Sequence, residues 1–96
     1  APNYADLLDT RGVAYFRLKQ YDKAIEDFTT AISLYPNGAP GKVSANFHLA
    51  RTFAARQNKA EAIESLNQTI DLYQQHGGLS QKDLKQAKNL LNALTQ

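Results

Sequence analysis

Two histidines, nine carboxylates and one glycine-, proline- and lysine-containing stretch are what this 96-residue sequence offers to catalytic or ligand chemistry. It has no cysteine, which excludes a disulfide framework, a thiol nucleophile and a Cys-ligated metal. His48 follows Phe47 in a helical stretch with no carboxylate or second histidine three or four residues away, the spacing that would orient a general base. It is expected to be a surface or groove-lining side chain, and His76, in the run Gln74-Gln75-His76-Gly77-Gly78, a solvated one. Asp6 and Asp9 share a helix face and have the types needed for an acid/base pair, but no cavity is implied around them. The stretch from Gly38 to Lys42 looks superficially like a phosphate loop. It lacks the G-x4-G-K-[ST] spacing, has Val43 where a hydroxyl is needed, and follows no strand pattern, so a turn is expected. Asn67-Gln68-Thr69 spells a glycosylation acceptor, but it falls inside a helical pattern with Thr69 near the packing seam. No catalytic, cofactor-binding or metal-ligating residue is therefore expected.

The elements that must position these side chains are all helical. The chain is 43% hydrophobic and 21% charged, enough apolar material to bury a core. No apolar run approaches the roughly 20 residues that cross a bilayer, so no membrane insertion is expected. The net charge of +2 owes much to Lys82, Lys85 and Lys88, too sparse a set for a nucleic-acid surface. No segment alternates with period two, whereas apolar residues recur at three- and four-residue steps throughout.

An internal repeat organises these stripes. A shift of 38 residues places Gly12 and Tyr15 on Ala50 and Phe53, Ala24 on Ala62, Phe28 on Leu66, and Leu34-Tyr35 on Leu72-Tyr73. A further shift places Leu49 on Ala87 and Phe53 on Leu91. Each full unit reads as two helices. The first helix should turn Tyr4, Leu7, Leu8, Ala14, Tyr15 and Leu18 inward, after an Asn3–Asp6 capping pair. Asp22 should cap the second helix, which carries Ala24, Ile25, Phe28, Ala31, Ile32 and Tyr35, and Pro36-Asn37-Gly38 should end it. Pro40 suits the first turn of a third helix with Val43, Phe47, Leu49, Ala50, Phe53 and Ala54. Asn58 and Glu61 should cap a fourth, and Ser80 with Asp83 a fifth. Gly12, inside a helix where glycine costs about 1 kcal/mol against alanine, implies a close helix crossing. Lys88 stands where Gly12 and Ala50 do and would obstruct another such crossing, so the array is expected to end there. A chain without methionine is expected to be processed or excised from a longer protein.

Gly12-x2-Tyr15, Ala24-x3-Phe28 and Pro36 stand at the spacings of a tetratricopeptide repeat, which the first unit resembles. The second unit matches less fully: Leu49-Ala50-x2-Phe53 and Ala62-x3-Leu66 fit, while Thr69 replaces an alanine and no proline closes the unit. The resemblance implies an all-α, right-handed α-α superhelix of five antiparallel helices. Residues 1–96 are expected to form one domain, with repeats at about 4–37 and 42–76 and a capping helix at about 80–95.

The resemblance also implies a concave groove, lined by the first helix of each unit, that binds a peptide or protein segment without catalysis. Helical stepping assigns to it Asp9, Val13, Phe16 and Arg17, then Phe47, Arg51 and Ala54, then Lys85 and Asn89. Phe16 and Phe47 fall off the stripe of Tyr15 and Phe53, so each reads either as an anchor for a partner or as an extension of the core. One subgroup of the family clamps C-terminal carboxylates with Lys and Asn. Asp9, Val13 and His48 stand at its matching positions, so no such clamp is expected, and basic or apolar peptides fit Asp6, Asp9 and Phe16 better. The alternatives are a self-assembling domain, with the exposed side of the first helix on a second copy, and a regulatory domain of a larger protein.

Overall fold

The computed structural model describes residues 4–96. Among them are five helices: α1 (Tyr4–Arg17), α2 (Tyr21–Leu34), α3 (Pro40–Ala55), α4 (Lys59–His76) and α5 (Gln81–Leu94). They pack in chain order, each on the next, and α1 also reaches α3. Short connections between successive helices make an antiparallel stack, a helical solenoid measuring 43 × 31 × 20 Å.

The two tight turns are built alike. After α1, Lys19 takes a left-handed backbone with φ of 62°, and after α3 its repeat counterpart Gln57 does so with φ of 69°. The Lys19 amide donates to the Phe16 carbonyl and the Gln20 amide to that of Tyr15. Gln57 and Asn58 repeat the pattern onto Ala54 and Phe53, so both first helices end in a Schellman motif. This geometry overrides two of the expected caps. The N-cap of α2 is Gln20, not Asp22, and Asp22 pairs instead with Arg56 Nε at 2.6 Å. Asn58 is the N-cap of α4, yet its side chain accepts from Arg56 rather than from the helix amides. Ser80 does accept from the Asp83 amide at 3.1 Å. Asn3 lies outside the described residues.

Two apolar clusters hold the stack. Ala24, Phe28 and Leu49 join the first unit to α3, with Val13, Tyr15, Phe16, Ile25, Ile32 and Phe53 packed around them. Phe47, Ala50, Leu66 and Ala87 join α3, α4 and α5, flanked by Leu79, Leu90, Leu91 and Leu94. A Cβ placed on Gly12 would lie 2.6 Å from the Phe28 ring, so the close crossing implied by this glycine is the one between α1 and α2. The buried Thr52 and Thr69 hydroxyls donate to the carbonyls of His48 and Ser65 one turn earlier, both at 2.7 Å.

The inward stripe expected for α1 is wrong for four of its six members. Leu8 is buried and Tyr15 half-buried, but Tyr4, Leu7 and Leu18 are 61%, 63% and 66% exposed and Ala14 is exposed as well. The reason lies in the order of the stack: α1 has α2 and α3 on one side, and no described element covers the other.

Candidate functional site

The groove between α1 and α3 starts from helical stepping. Val13, Phe16 and Arg17 fall on the side of α1 that meets α3, and His48 and Arg51 lie one turn apart on the answering face. Phe28, rising from α2 beneath Gly12, closes the space between them. The result is a cavity of about 150 Å³ lined by Val13, Phe16, Arg17, Phe28, His48 and Arg51. An open shelf beside it is formed by Asp9, Thr10, Val13, Ala14, Arg17 and His48.

The walls are held by specific contacts. His48 Nδ1 lies 3.2 Å from Asp9 Oδ1, and since a carboxylate only accepts, Nδ1 carries the proton. The same imidazole stacks obliquely on Phe28, with ring centroids 5.5 Å apart. The Arg51 guanidinium lies over two aromatic faces at once, 4.9 Å from the centre of Phe16 and 5.5 Å from that of Phe47. Cation–π contacts of this kind restrain the guanidinium while leaving its N–H groups free to donate. Phe16 in turn packs on Tyr21 at 5.8 Å. It is half-buried and extends the core, while part of its surface lines the cavity.

Phe47 is a correction. Its side chain is 1% exposed and sits in the second core cluster, where Leu66 takes the place that the larger Phe28 fills in the first. It supports Arg51 from within and offers a partner nothing. Lys85 and Asn89 are exposed on α5, which packs on α4, and neither lines the cavity. Ala54 is half-buried and does not line it either. The cavity and shelf thus bring together Asp9, Val13, Phe16, Arg17 and Arg51 from the set assigned by stepping. His48 and Phe28 join them.

The two carboxylates near the start of α1 each already accept one hydrogen bond from another helix. Asp6 accepts a hydrogen bond from the Tyr35 hydroxyl at the far end of α2, and Asp9 accepts from His48. Burial, that hydrogen bond and the negative charges of Asp9 and Asp6 together hold the Tyr35 hydroxyl well above the usual tyrosine range. A third carboxylate, Asp27, is 4% exposed and takes two hydrogen bonds from Arg11, at 2.7 and 2.8 Å. That bidentate pairing drives the Arg11 guanidinium further up from its already high value. Among the described residues, Arg17 and Arg51 have no carboxylate within ion-pair distance.

The stretch resembling a phosphate loop is a turn. Gly38 has φ of +86°, and Lys42, in the first turn of α3, donates to Asn37 Oδ1 at 2.9 Å. No group of three potential metal ligands gathers among the described residues, and no helix there is long and apolar enough to cross a membrane.

Two contacts, His48–Asp9 and Arg11–Asp27, escaped the sequence reading because it looked for partners along one helix. The repeat itself carried a signal for the first: Asp9 falls on Phe47 after a 38-residue shift, so His48 follows its counterpart directly. A family model described as tetratricopeptide repeat matches residues 2–75 of the chain. No curated protein and no solved structure matches it.

Proposed function

Because the chain belongs to the tetratricopeptide-repeat family, whose members are generally protein–protein interaction modules, we propose that it binds a partner segment in the α1–α3 groove. It does so without catalysis. The observation that carries this reading is the cavity beneath Phe16 and Arg51, apolar at its Phe28 floor and ringed by side chains held in place from behind. Val13 and Phe16 supply apolar contact, while Asp9, Arg17, His48 and Arg51 frame the entry. A peptide-display selection against the folded chain tests it. Selected peptides should shift the amide resonances of Val13, Phe16 and His48, and Phe16→Ala should weaken them by about tenfold or more, as for an interface anchor. Peptides that bind while shifting only α4 and α5 would overturn the assignment.

A second reading, self-assembly, is favoured by a separate observation. Tyr4 and Leu7 on α1 and Leu18 just past its end form an exposed apolar stripe that lines neither the cavity nor the shelf. Two copies could bury these stripes against each other.

A further inference from the structure

We infer that the segment taken by the α1–α3 groove is acidic, with a carboxylate held between Arg17 and Arg51 beside an apolar side chain that enters the cavity. This rests on the groove reading and deepens it. Arg51 is half-buried, lies within cation–π distance of both Phe16 and Phe47, and makes no hydrogen bond to a protein acceptor among the described residues. A guanidinium already held against two rings keeps its N–H donors for a carboxylate and loses less freedom on binding one. Arg17 lines the same cavity from the opposite helix, exposed and likewise without a carboxylate partner.

The competing charge is Asp9, which is tied to His48 and stands eight residues before Arg17, about 12 Å along the helix. The arginine end of the cavity is therefore positive. Val13, Phe16 and Phe28 supply the apolar part of the lining of the 150 Å³ cavity, which has room for an aliphatic side chain. Two arginines over one small apolar cavity suit a short acidic–aliphatic segment better than the extended charge of a nucleic-acid strand. The inference commits to side-chain carboxylates, and the peptides that test it have their termini blocked.

Three octapeptides, acetylated and amidated to remove terminal charges, test the inference. Each carries one leucine flanked by Glu, Gln or Lys. Fluorescence anisotropy gives affinity, and amide shifts of Val13, Phe16 and His48 report whether the groove is occupied. The Glu peptide should bind about tenfold more tightly than the Gln peptide at low salt, and the Lys peptide most weakly. Arg17→Gln, an exposed substitution that leaves the fold intact, should remove most of that preference. Arg51→Gln should do the same, with its circular dichroism and melting temperature compared with those of the wild type. Equal binding of the Glu and Gln peptides in the groove, or tighter binding of the Lys peptide, overturns the acidic preference while leaving the groove reading in place. Tighter binding of a single-stranded oligonucleotide overturns it in favour of a phosphate ligand. If no peptide shifts the groove resonances, both readings fall.

Discussion

Gly12 and Phe28 show how one residue pair sets the distance between two helices. Alanine at Gly12 would gain about 1 kcal/mol of helix propensity. Its Cβ would meet a Phe28 ring that is itself 1% exposed and has nowhere to move. Overpacking of this kind costs about 1–3 kcal/mol, so Gly12→Ala should be destabilising on balance, by up to about 2 kcal/mol, read as a lower thermal midpoint. The second unit supplies the control, because it places Ala50 with Leu66. Adding Phe28→Leu to Gly12→Ala copies that pair and should recover part of the loss. Tyr35 carries a pH-dependent prediction. Its hydroxyl titrates higher in the folded chain than the unfolded value of about 10, because of burial and then Asp6. The neutral hydroxyl is favoured by folding, so this contribution is intact below about pH 10 and declines as pH rises above it. Thermal midpoints between pH 8 and 11 should fall more steeply for the wild type than for Tyr35→Phe; parallel curves would contradict this. Gly12 was legible in the sequence because a helical glycine carries a cost that something must offset. Phe47 was not: its stepping places it with Asp9 and Lys85, and only the smaller Leu66 beside it explains why the ring turns inward.

Among the elements, the tight turns follow the repeat more faithfully than the capping signals do. Asp22 and Asn58 were reasonable N-caps by residue type, but the Schellman motifs at Lys19 and Gln57 fix the chain's exit and leave both side chains to Arg56. The motif escaped notice because neither left-handed position holds glycine, its usual marker. A side chain in that backbone region costs roughly 1–2 kcal/mol, and glycine's greater freedom when unfolded offsets part of any gain. Lys19→Gly and Gln57→Gly should each stabilise the chain by about 0.5–1 kcal/mol, raising its melting temperature by a few degrees. The two sites lie at separate turns, so the double variant should show close to the sum. A fall in melting temperature for either would mean that the lysine or glutamine side chain has a role its contacts do not reveal. The hairpin between units is set differently, by Tyr35 in an extended conformation before Pro36 and by Gly41 beneath the Tyr35 ring.

Taken whole, the molecule is a stack whose helices repeat one another's positions but not their surroundings. A 38-residue shift carries Leu7 onto Ala45 and Ala14 onto Thr52, both with no exposure inside the stack. A further shift carries Ala14 and Leu18 onto Leu90 and Leu94, which pack on the second core cluster. The exposed stripe of α1 thus has the register that α3 and α5 use for packing, which is why periodicity alone assigned it to the core. Burial depends on what stands alongside, and a stripe in the sequence cannot say whether its neighbour is present. Leu7 and Leu18 are so exposed that replacing both with Glu should leave the stability of a single chain unchanged within about 0.5 kcal/mol per site. Like charges on facing stripes would, in contrast, disfavour any contact between copies. If self-assembly uses this stripe, sedimentation should show association of the wild type that grows with concentration, and the Leu7→Glu/Leu18→Glu variant should stay monomeric. Peptide binding in the groove, which neither leucine lines, should be unaffected. A wild-type chain that sediments as a monomer at every concentration would remove the self-assembly reading and leave the groove as the functional surface.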